Sequence, residues 1–276
     1  MRVDIYTKDW VKVDLDSLNV VTTNFILESS SPQHTREDVD MMYGTNTLGT
    51  VLAGRTMQVT FHIRAVDAYD FPLVRNEIFK LLNGLDVVYL VNTRESGKRW
   101  KVRVESAYDT APIAMVFSQF DISFFSDSPF SESIGTTQDP LTFYAERWQF
   151  GQGILAEDDI KYTNTASSFK IYNLGDITID PRDPKAPLTI EVTAAQTSSN
   201  IMMSLTNNTT GERWSYKGAT TAGQVYQLAG VQTLLDGTSV SSKTNYGLLT
   251  LKPGYNDISR NSGISRVNFI NRFYYL

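Results

Sequence analysis

The middle of the chain changes from an aromatic run to a polar stretch, and this change most constrains the fold. The residues before it form a dense apolar run that suits a buried strand: Phe117, Phe120, Ile122, Phe124 and Phe125. Residues 131–140 are polar and contain Gly135 and Pro140, a composition typical of a linker. A second apolar segment then follows, with Phe143, Tyr144, Trp148, Phe150 and Ile154. We therefore predict two domains, residues 1–140 and 141–276.

The first domain is predicted to combine strands with one helix. Residues 56–65 alternate apolar and polar side chains, as a half-buried strand does. Residues 70–84 carry apolar side chains at helical spacing, with Asp70 as the predicted N-cap and a C-terminal stop at Asn83-Gly84. Strands resume at residues 87–91 and 100–104. The pattern indicates an α+β domain, a sandwich or barrel-like sheet carrying one helix.

Residues 29–55 are the least regular segment of this domain, with acidic residues at 37, 38 and 40 and glycines at 44, 49 and 54. A segment of this length inside a compact domain is usually functional or mobile. Two interpretations stay open. The segment is either a long hairpin that reaches a neighbouring subunit or a flexible surface loop.

The second half shows no helical period. Its short apolar segments are separated by Gly, Pro and Asn-Asn turn signals, as in antiparallel sandwiches and jelly rolls. Together the two halves predict a mainly β, two-domain protein whose C-terminal domain is an antiparallel β-sandwich.

Composition excludes several classes of function. The chain is 41% hydrophobic and 20% charged, which is typical of a globular protein. It contains no cysteine, so disulfides and thiolate chemistry are excluded. Neither a signal peptide nor an apolar run of about 18 residues is found, and we expect no membrane insertion.

The net charge of -5 is concentrated in the first domain. Residues 1–140 hold 13 basic and 19 acidic side chains, a net of -6, which argues against a broad nucleic-acid surface there. The basic residues between 98 and 103, which flank Trp100, are interpreted as the wet face of a strand. A local nucleic-acid patch is the alternative.

No catalytic, cofactor or metal motif is present: the sequence lacks a P-loop, a Rossmann fingerprint, GxSxG and HExxH. Its two histidines, His34 and His62, lack a ligand spacing. The acidic groups at 157–159 and at Asp180 and Asp183 are interpreted as solvated turns. A wall-degrading glycosidase, which needs two carboxylates in one cleft, ranks last among the candidate functions. We predict that the protein is not an enzyme and has no cofactor.

Trp214 and Tyr216 lie two residues apart on a predicted strand of the second domain. On one interpretation they form an aromatic platform that stacks on carbohydrate. On the other, both, or Trp214 alone, belong to the hydrophobic core.

A series of motifs, in order along the chain, resembles the distal tail protein (Dit) family of long, non-contractile-tailed bacteriophages that infect Gram-positive hosts. The motifs are FFSDSPF at 124–130, WQFGQG at 148–153, NLGDITIDP at 173–181, NNTTGERWSYKG at 207–218, LKPGYNDI at 251–258 and VNFINRFYYL at 267–276. Residues 29–55 depart most from the family pattern.

This resemblance implies a structural role in the virion. Members form a hexameric ring at the distal end of the tail, usually through the N-terminal domain, after assembly in the host cytoplasm. The ring joins the tail tube protein to the tail-tip or fibre protein and leaves a channel through which DNA passes as cargo. The C-terminal domain resembles galectins or carbohydrate modules. The alternative is a hub whose C-terminal domain also binds cell-wall carbohydrate or anchors receptor-binding proteins.

Overall fold

The computed structural model describes residues 2–38, 40–41, 43–142, 147–149, 151–153 and 160–276. The chain divides into two compact units, Met1–Ser131 with Leu276, and Glu132–Tyr275. The first eight strands and the α-helix are β1 (Val3–Tyr6), β2 (Val20–Leu27), β3 (Pro32–Asp38), β4 (Thr45–Leu52), β5 (Arg55–Arg64), α1 (Asp70–Leu81), β6 (Val88–Asn92), β7 (Lys98–Val104) and β8 (Phe117–Ser126).

The remaining strands are β9 (Ser131–Ser133), β10 (Thr163–Asn164), β11 (Ser168–Asn173), β12 (Leu188–Ala194), β13 (Ser198–Asn207), β14 (Glu212–Thr220), β15 (Val225–Ala229), β16 (Gln232–Leu235), β17 (Thr238–Ser239), β18 (Gly254–Arg260), β19 (Ile264–Asn271) and β20 (Tyr274–Tyr275). Short 3-10 helices lie at Thr93–Glu95 and Ser241–Lys243. Among the described residues, no helix has the length and apolar character needed to cross a membrane.

The first unit is built on an antiparallel sheet in the order β1-β6-β7-β8-β5-β2. The predicted strand at 56–65 is β5, an inner strand of this sheet between β8 and β2, and β5 pairs with β8 along its full length. Phe61 lies opposite Phe120 and Val59 opposite Ile122, and all four side chains are buried. The alternation of the sequence therefore corresponds to one buried and one wet face of the sheet.

Helix α1 covers the buried face of this sheet. Phe71, Val74 and Ile78 point into the core, together with Leu82 just beyond the helix. The predicted N-cap is wrong. Asp67, rather than Asp70, accepts hydrogen bonds from the first free amides, those of Tyr69 and Asp70, both at 2.8 Å. The Asp70 carboxylate instead accepts from the amide of Val66 at 2.9 Å.

Asp67→Ala is expected to lower the free energy of unfolding by about 1 kcal/mol, because it leaves two amides at the helix start without their acceptor. Asp67→Asn keeps an acceptor oxygen and is expected to cost only a few tenths of a kcal/mol. Urea titration followed by circular dichroism measures both. Equal losses in the two variants would show that the charge of Asp67, and not its capping oxygen, matters.

The polar stretch at 131–140 is packed rather than solvated, so its interpretation as a linker is wrong. The Ser133 amide donates to the Phe273 carbonyl at 2.8 Å, and the Thr137 hydroxyl donates to the Phe269 carbonyl at 2.7 Å. Gly135 lies against the ring of Trp148, where an added Cβ would come within 2.4 Å of a ring carbon. The Ser133 amide and the Thr137 hydroxyl thus satisfy backbone carbonyls of the second unit, and the division into compact units falls after Ser131.

The second unit is a sandwich of two antiparallel sheets. One has the order β10-β19-β12-β15-β16-β17 and the other the order β11-β18-β13-β14. Side chains of the two sheets meet in the core. The Tyr216 ring lies 4.8 Å from the Tyr226 ring, and Trp214 Nε1 donates to Thr233 Oγ1 at 3.1 Å. The predicted fold class, mainly β with an α+β first domain and an antiparallel C-terminal sandwich, is confirmed. The likeness of this sandwich to galectins stays a prediction.

Candidate assembly surfaces

Strands β3 and β4 form a separate two-stranded sheet, the hairpin, so residues 29–55 contain a hairpin and not an irregular loop. Its contact with a neighbouring subunit stays a prediction. Every residue of β3 is exposed, and every residue of β4 except the partly buried Leu52. At the tip, the exposed fractions of Met41 and Tyr43 are 104% and 109%. A lone two-stranded sheet is marginal in water. The hairpin therefore has the properties of an element that is completed by a partner.

The base of the hairpin is held rigidly by Arg55, the first residue of β5. Its guanidinium donates to the Glu28 carbonyl from Nε at 3.0 Å and from a terminal nitrogen at 2.7 Å, and it lies over the Trp100 ring at 5.0 Å. Burial lowers the pKa of Arg55. Gly54 next to it contacts Phe125 and Ser126 so closely that a Cβ would come within 2.4 Å of both. This anchoring fixes the direction in which the hairpin leaves the sheet.

Helix α1 exposes a second apolar surface. Tyr69, Leu73 and Lys80 follow one another at spacings of four and seven residues, on the side opposite the buried Val74 and Ile78. The exposed fractions are 89% for Tyr69 and 64% for Leu73. The sequence analysis missed this surface because it considered only the core stripe of the helix. A helical projection of the same residues would have revealed it.

The basic residues around Trp100 do not form a continuous patch. Trp100 is buried, and Arg99 is 8% exposed, with its guanidinium 4.7 Å from the Trp10 ring and 4.3 Å from the Tyr89 ring. Lys101 and Arg103 point to solvent. The arrangement matches a strand with one solvent-exposed face, as interpreted from the sequence. Of the four basic residues of β7, Arg99 is buried against aromatic rings.

Trp214 and Tyr216 lie in the core of the sandwich, so the stacking interpretation is corrected. Both side chains are 1% exposed. Besides the contacts already described, the Tyr216 hydroxyl donates to the Ala219 carbonyl at 3.0 Å. Neither ring presents a free face to an external sugar. Strand β14 instead directs Arg213, Ser215 and Lys217 towards solvent.

An exposed aromatic pair occurs elsewhere on this sheet. Tyr172 of β11 lies opposite Tyr255 of β18, with ring centroids 4.6 Å apart, and Tyr255 is 51% exposed. The ammonium of Lys170 lies 5.6 Å from the centre of the Tyr255 ring. These tyrosines were not predicted as a site, because a cross-strand pair becomes visible only when the register of the two strands is known.

Other tyrosines support the core rather than a site. Burial raises the pKa of Tyr162, whose hydroxyl donates to the Tyr172 carbonyl at 2.7 Å. Burial also raises the pKa of Tyr108 in the first unit to about 12. That hydroxyl donates to the carbonyl of Leu82 at 3.1 Å, near the end of the helix.

The residues considered for catalysis do not converge. His34 bonds Thr50 within the hairpin at 2.8 Å, whereas His62 lies on the sheet beside Thr23 at 3.3 Å. In the described ranges, no three His, Asp or Glu side chains are grouped as metal ligands. The acidic group at 157–159 lies outside the described residues, as do Phe143, Tyr144, Phe150 and Ile154. The ion pair with Arg182 lowers the pKa of Asp180, the opposite of what a general acid requires.

Comparison with known proteins identifies the class of the first unit. Residues 13–126 match the family model of the phage tail protein RIFT-related domain. The first unit is therefore similar to phage tail domains of this family. No curated protein sequence matches the chain.

Solved structures with the same fold cover both units. The Dit protein (gp 19.1) of phage SPP1, described as a paradigm of the hub adsorption apparatus in phages infecting Gram-positive bacteria, has a TM-score of 0.70 at 13% identity. The match covers 99% of this chain and 100% of that one. The structure of the phage P2 baseplate in its activated conformation with Ca has a TM-score of 0.51 at 9% identity. The match covers 99% of this chain and 97% of that one. The structure of the same baseplate with Sr also has a TM-score of 0.51 at 9% identity, and the match covers 98% of this chain and 97% of that one. The resemblance to the distal tail protein family is confirmed.

Proposed function

We propose that this chain is a structural hub at the distal end of a phage tail. In this role, a hexameric ring of the first unit joins the tail tube protein to the tail-tip or fibre protein. The observation that carries the proposal is the exposed hairpin on a domain of the phage tail class. The hub described for the SPP1 protein and the baseplate described for phage P2 support it through the shared fold.

The hairpin is the element expected to close the ring. Exposed apolar patches on a monomer commonly mark protein interfaces, and Leu48 and Val51 are 64% and 65% exposed along β4. When a projecting element of one copy binds a different surface of the next, the contact is heterologous, and repetition closes a ring at a suitable rotation. A ring of this kind leaves a central channel.

The charge of the first unit suits a channel that DNA passes through. Residues 1–131 hold 13 basic and 17 acidic side chains, a net of -4, so a ring of these units repels phosphates more than it attracts them. DNA would then be transient cargo and not a bound ligand. If neutralising exposed carboxylates such as Asp121 leaves DNA ejection unchanged, this part of the proposal fails.

The hub role is tested by mixing the purified chain with the tail tube protein and imaging the product by negative stain. The expected result is a ring-shaped cap at one end of the tube. Tubes whose ends remain bare, in samples where the chain is folded, would contradict the proposal.

A second candidate function belongs to the sandwich. The Tyr172–Tyr255 pair, in which Tyr255 is exposed and Tyr172 half-buried, has Lys170 beside it and offers ring surface and hydrogen-bond donors of the kind that bind sugars. A hub with this pair would also attach the particle to cell-wall carbohydrate. The full-length chain on a glycan array tests this, with Tyr255→Ala as the variant expected to lose the signal. Silence of the unsubstituted chain, or a signal that the substitution leaves unchanged, would exclude the pair as the site.

A further inference from the structure

We infer that the solvent face of helix α1 is the surface that receives the hairpin of the neighbouring copy. The helix face is defined by Tyr69, Leu73 and Lys80, and the hairpin by residues 32–52. The inference rests on the proposed ring and adds the contact that builds it.

The helix face combines an apolar half and a basic end. Tyr69 and Leu73 lie within one turn of each other, and Lys80 lies about 11 Å further along the axis than Leu73, at 1.5 Å per residue. Lys80 has a neighbouring carboxylate, Glu77, at 3.8 Å, but both groups are largely exposed. Such a pair contributes little, so Lys80 can exchange it for a better partner.

One face of the hairpin has the complementary order. Val51 pairs with Gln33, and the alternation of β3 places Glu37 on the same face as Gln33. Four residues of strand separate Gln33 from Glu37, a rise of about 13 Å. An apolar group followed by a carboxylate on the hairpin therefore matches, within a few ångströms, the apolar pair followed by Lys80 on the helix.

The occupant is a second copy of this chain, because the chain itself carries both halves of the contact. The hairpin is unfavourable alone, and the helix face is an apolar surface left in water. Joining the two buries both in one event. The contact is heterologous, so each copy uses its hairpin once and its helix face once. Each copy then contacts two neighbours, as every member of a closed ring does.

Thiol cross-linking tests the contact directly, because the natural chain contains no cysteine. The double variant Val51→Cys with Leu73→Cys changes two exposed residues and is treated, within the assembled ring, with a short bismaleimide. We expect covalently linked multimers on a denaturing gel. The matched control is Thr50→Cys with Leu73→Cys. Thr50 pairs with His34 and lies on the opposite face of the hairpin from Val51. The control variant should therefore give few linked chains.

The outcomes separate this inference from the proposed function. A ring without cross-links, equal cross-linking in the control, or cross-linking of Leu73→Cys to the tail tube protein would each overturn the inference and leave the hub role standing. The absence of any ring, also with tail tube present, would overturn both. In addition, Lys80→Glu should weaken ring association several-fold, and Glu37→Lys in the same chain should restore it.

Discussion

A chain in which a two-residue Asn-Gly turn replaces residues 33–51 is expected to remain folded and to lose the ring entirely, giving a monomer about 2 kDa lighter than the natural chain of 31.0 kDa. The hairpin residues are exposed and belong to none of the three larger sheets, so their removal takes no side chain from the core. If the hairpin supplies the contact between copies, no other described element replaces it. Light scattering on the variant and the natural chain measures the change.

The control for this deletion is the stability of the first unit. Urea titration is expected to shift by less than about 1 kcal/mol, because shortening a loop changes its closure entropy only slightly. A ring that survives the deletion would show that copies associate through the sheet or the sandwich, and the hairpin would then have no role in assembly.

Trp214→Ala is expected to give the largest loss of stability among the variants considered, about 3–5 kcal/mol, because it opens a large cavity in the sandwich core. The indole is 1% exposed, and its nitrogen donates to Thr233, whose hydroxyl loses that partner. The loss should appear in the unfolding transition of the second unit, followed by near-ultraviolet circular dichroism. A loss below about 1 kcal/mol would indicate that the indole is available at the surface.

Tyr255→Ala is the matched control on the same sheet. Its ring is half-exposed and contacts Tyr172 across the strands, so the expected loss is about 0.2–1 kcal/mol. The contrast between the two aromatic substitutions separates the core from the surface of this sheet. It also keeps the glycan test interpretable, because the variant used there remains folded.

Much of the fold followed from local pattern. The alternation at 56–65 and the helical spacing of Val74 and Ile78 predict which face of each element meets the core. The apolar residues of the alternation, and Val74 and Ile78, are buried as predicted. The polar composition of residues 131–140 led to a wrong prediction, because two hydroxyls there bond backbone groups that are distant in sequence. The Ser133 hydroxyl accepts from the Phe273 amide, and the Thr137 hydroxyl donates to the Phe269 carbonyl. A hydroxyl with such a partner is as acceptable in a core as an apolar group.

The candidate site was predicted in part. The glycines and the length of residues 29–55 indicated a hairpin or a loop, and pairing between β3 and β4 decides between them. Trp214 and Tyr216 share one face of a strand, but alternation alone does not say whether that face is wet or buried. The exposed Tyr69 and Leu73 were missed because the prediction considered only the stripe of the helix that meets the core, although a helical projection places both side chains on one other face.

We expect six copies of this chain to form one ring, and the solution mass by light scattering, with negative-stain images of the same sample, checks this expectation. A free ring should have a mass near six times 31.0 kDa, about 186 kDa, and a central hole, and a ring that forms only on the tail tube should be visible at the end of the tube. A monomer that stays monomeric and unbound when the tail tube protein is added would contradict it.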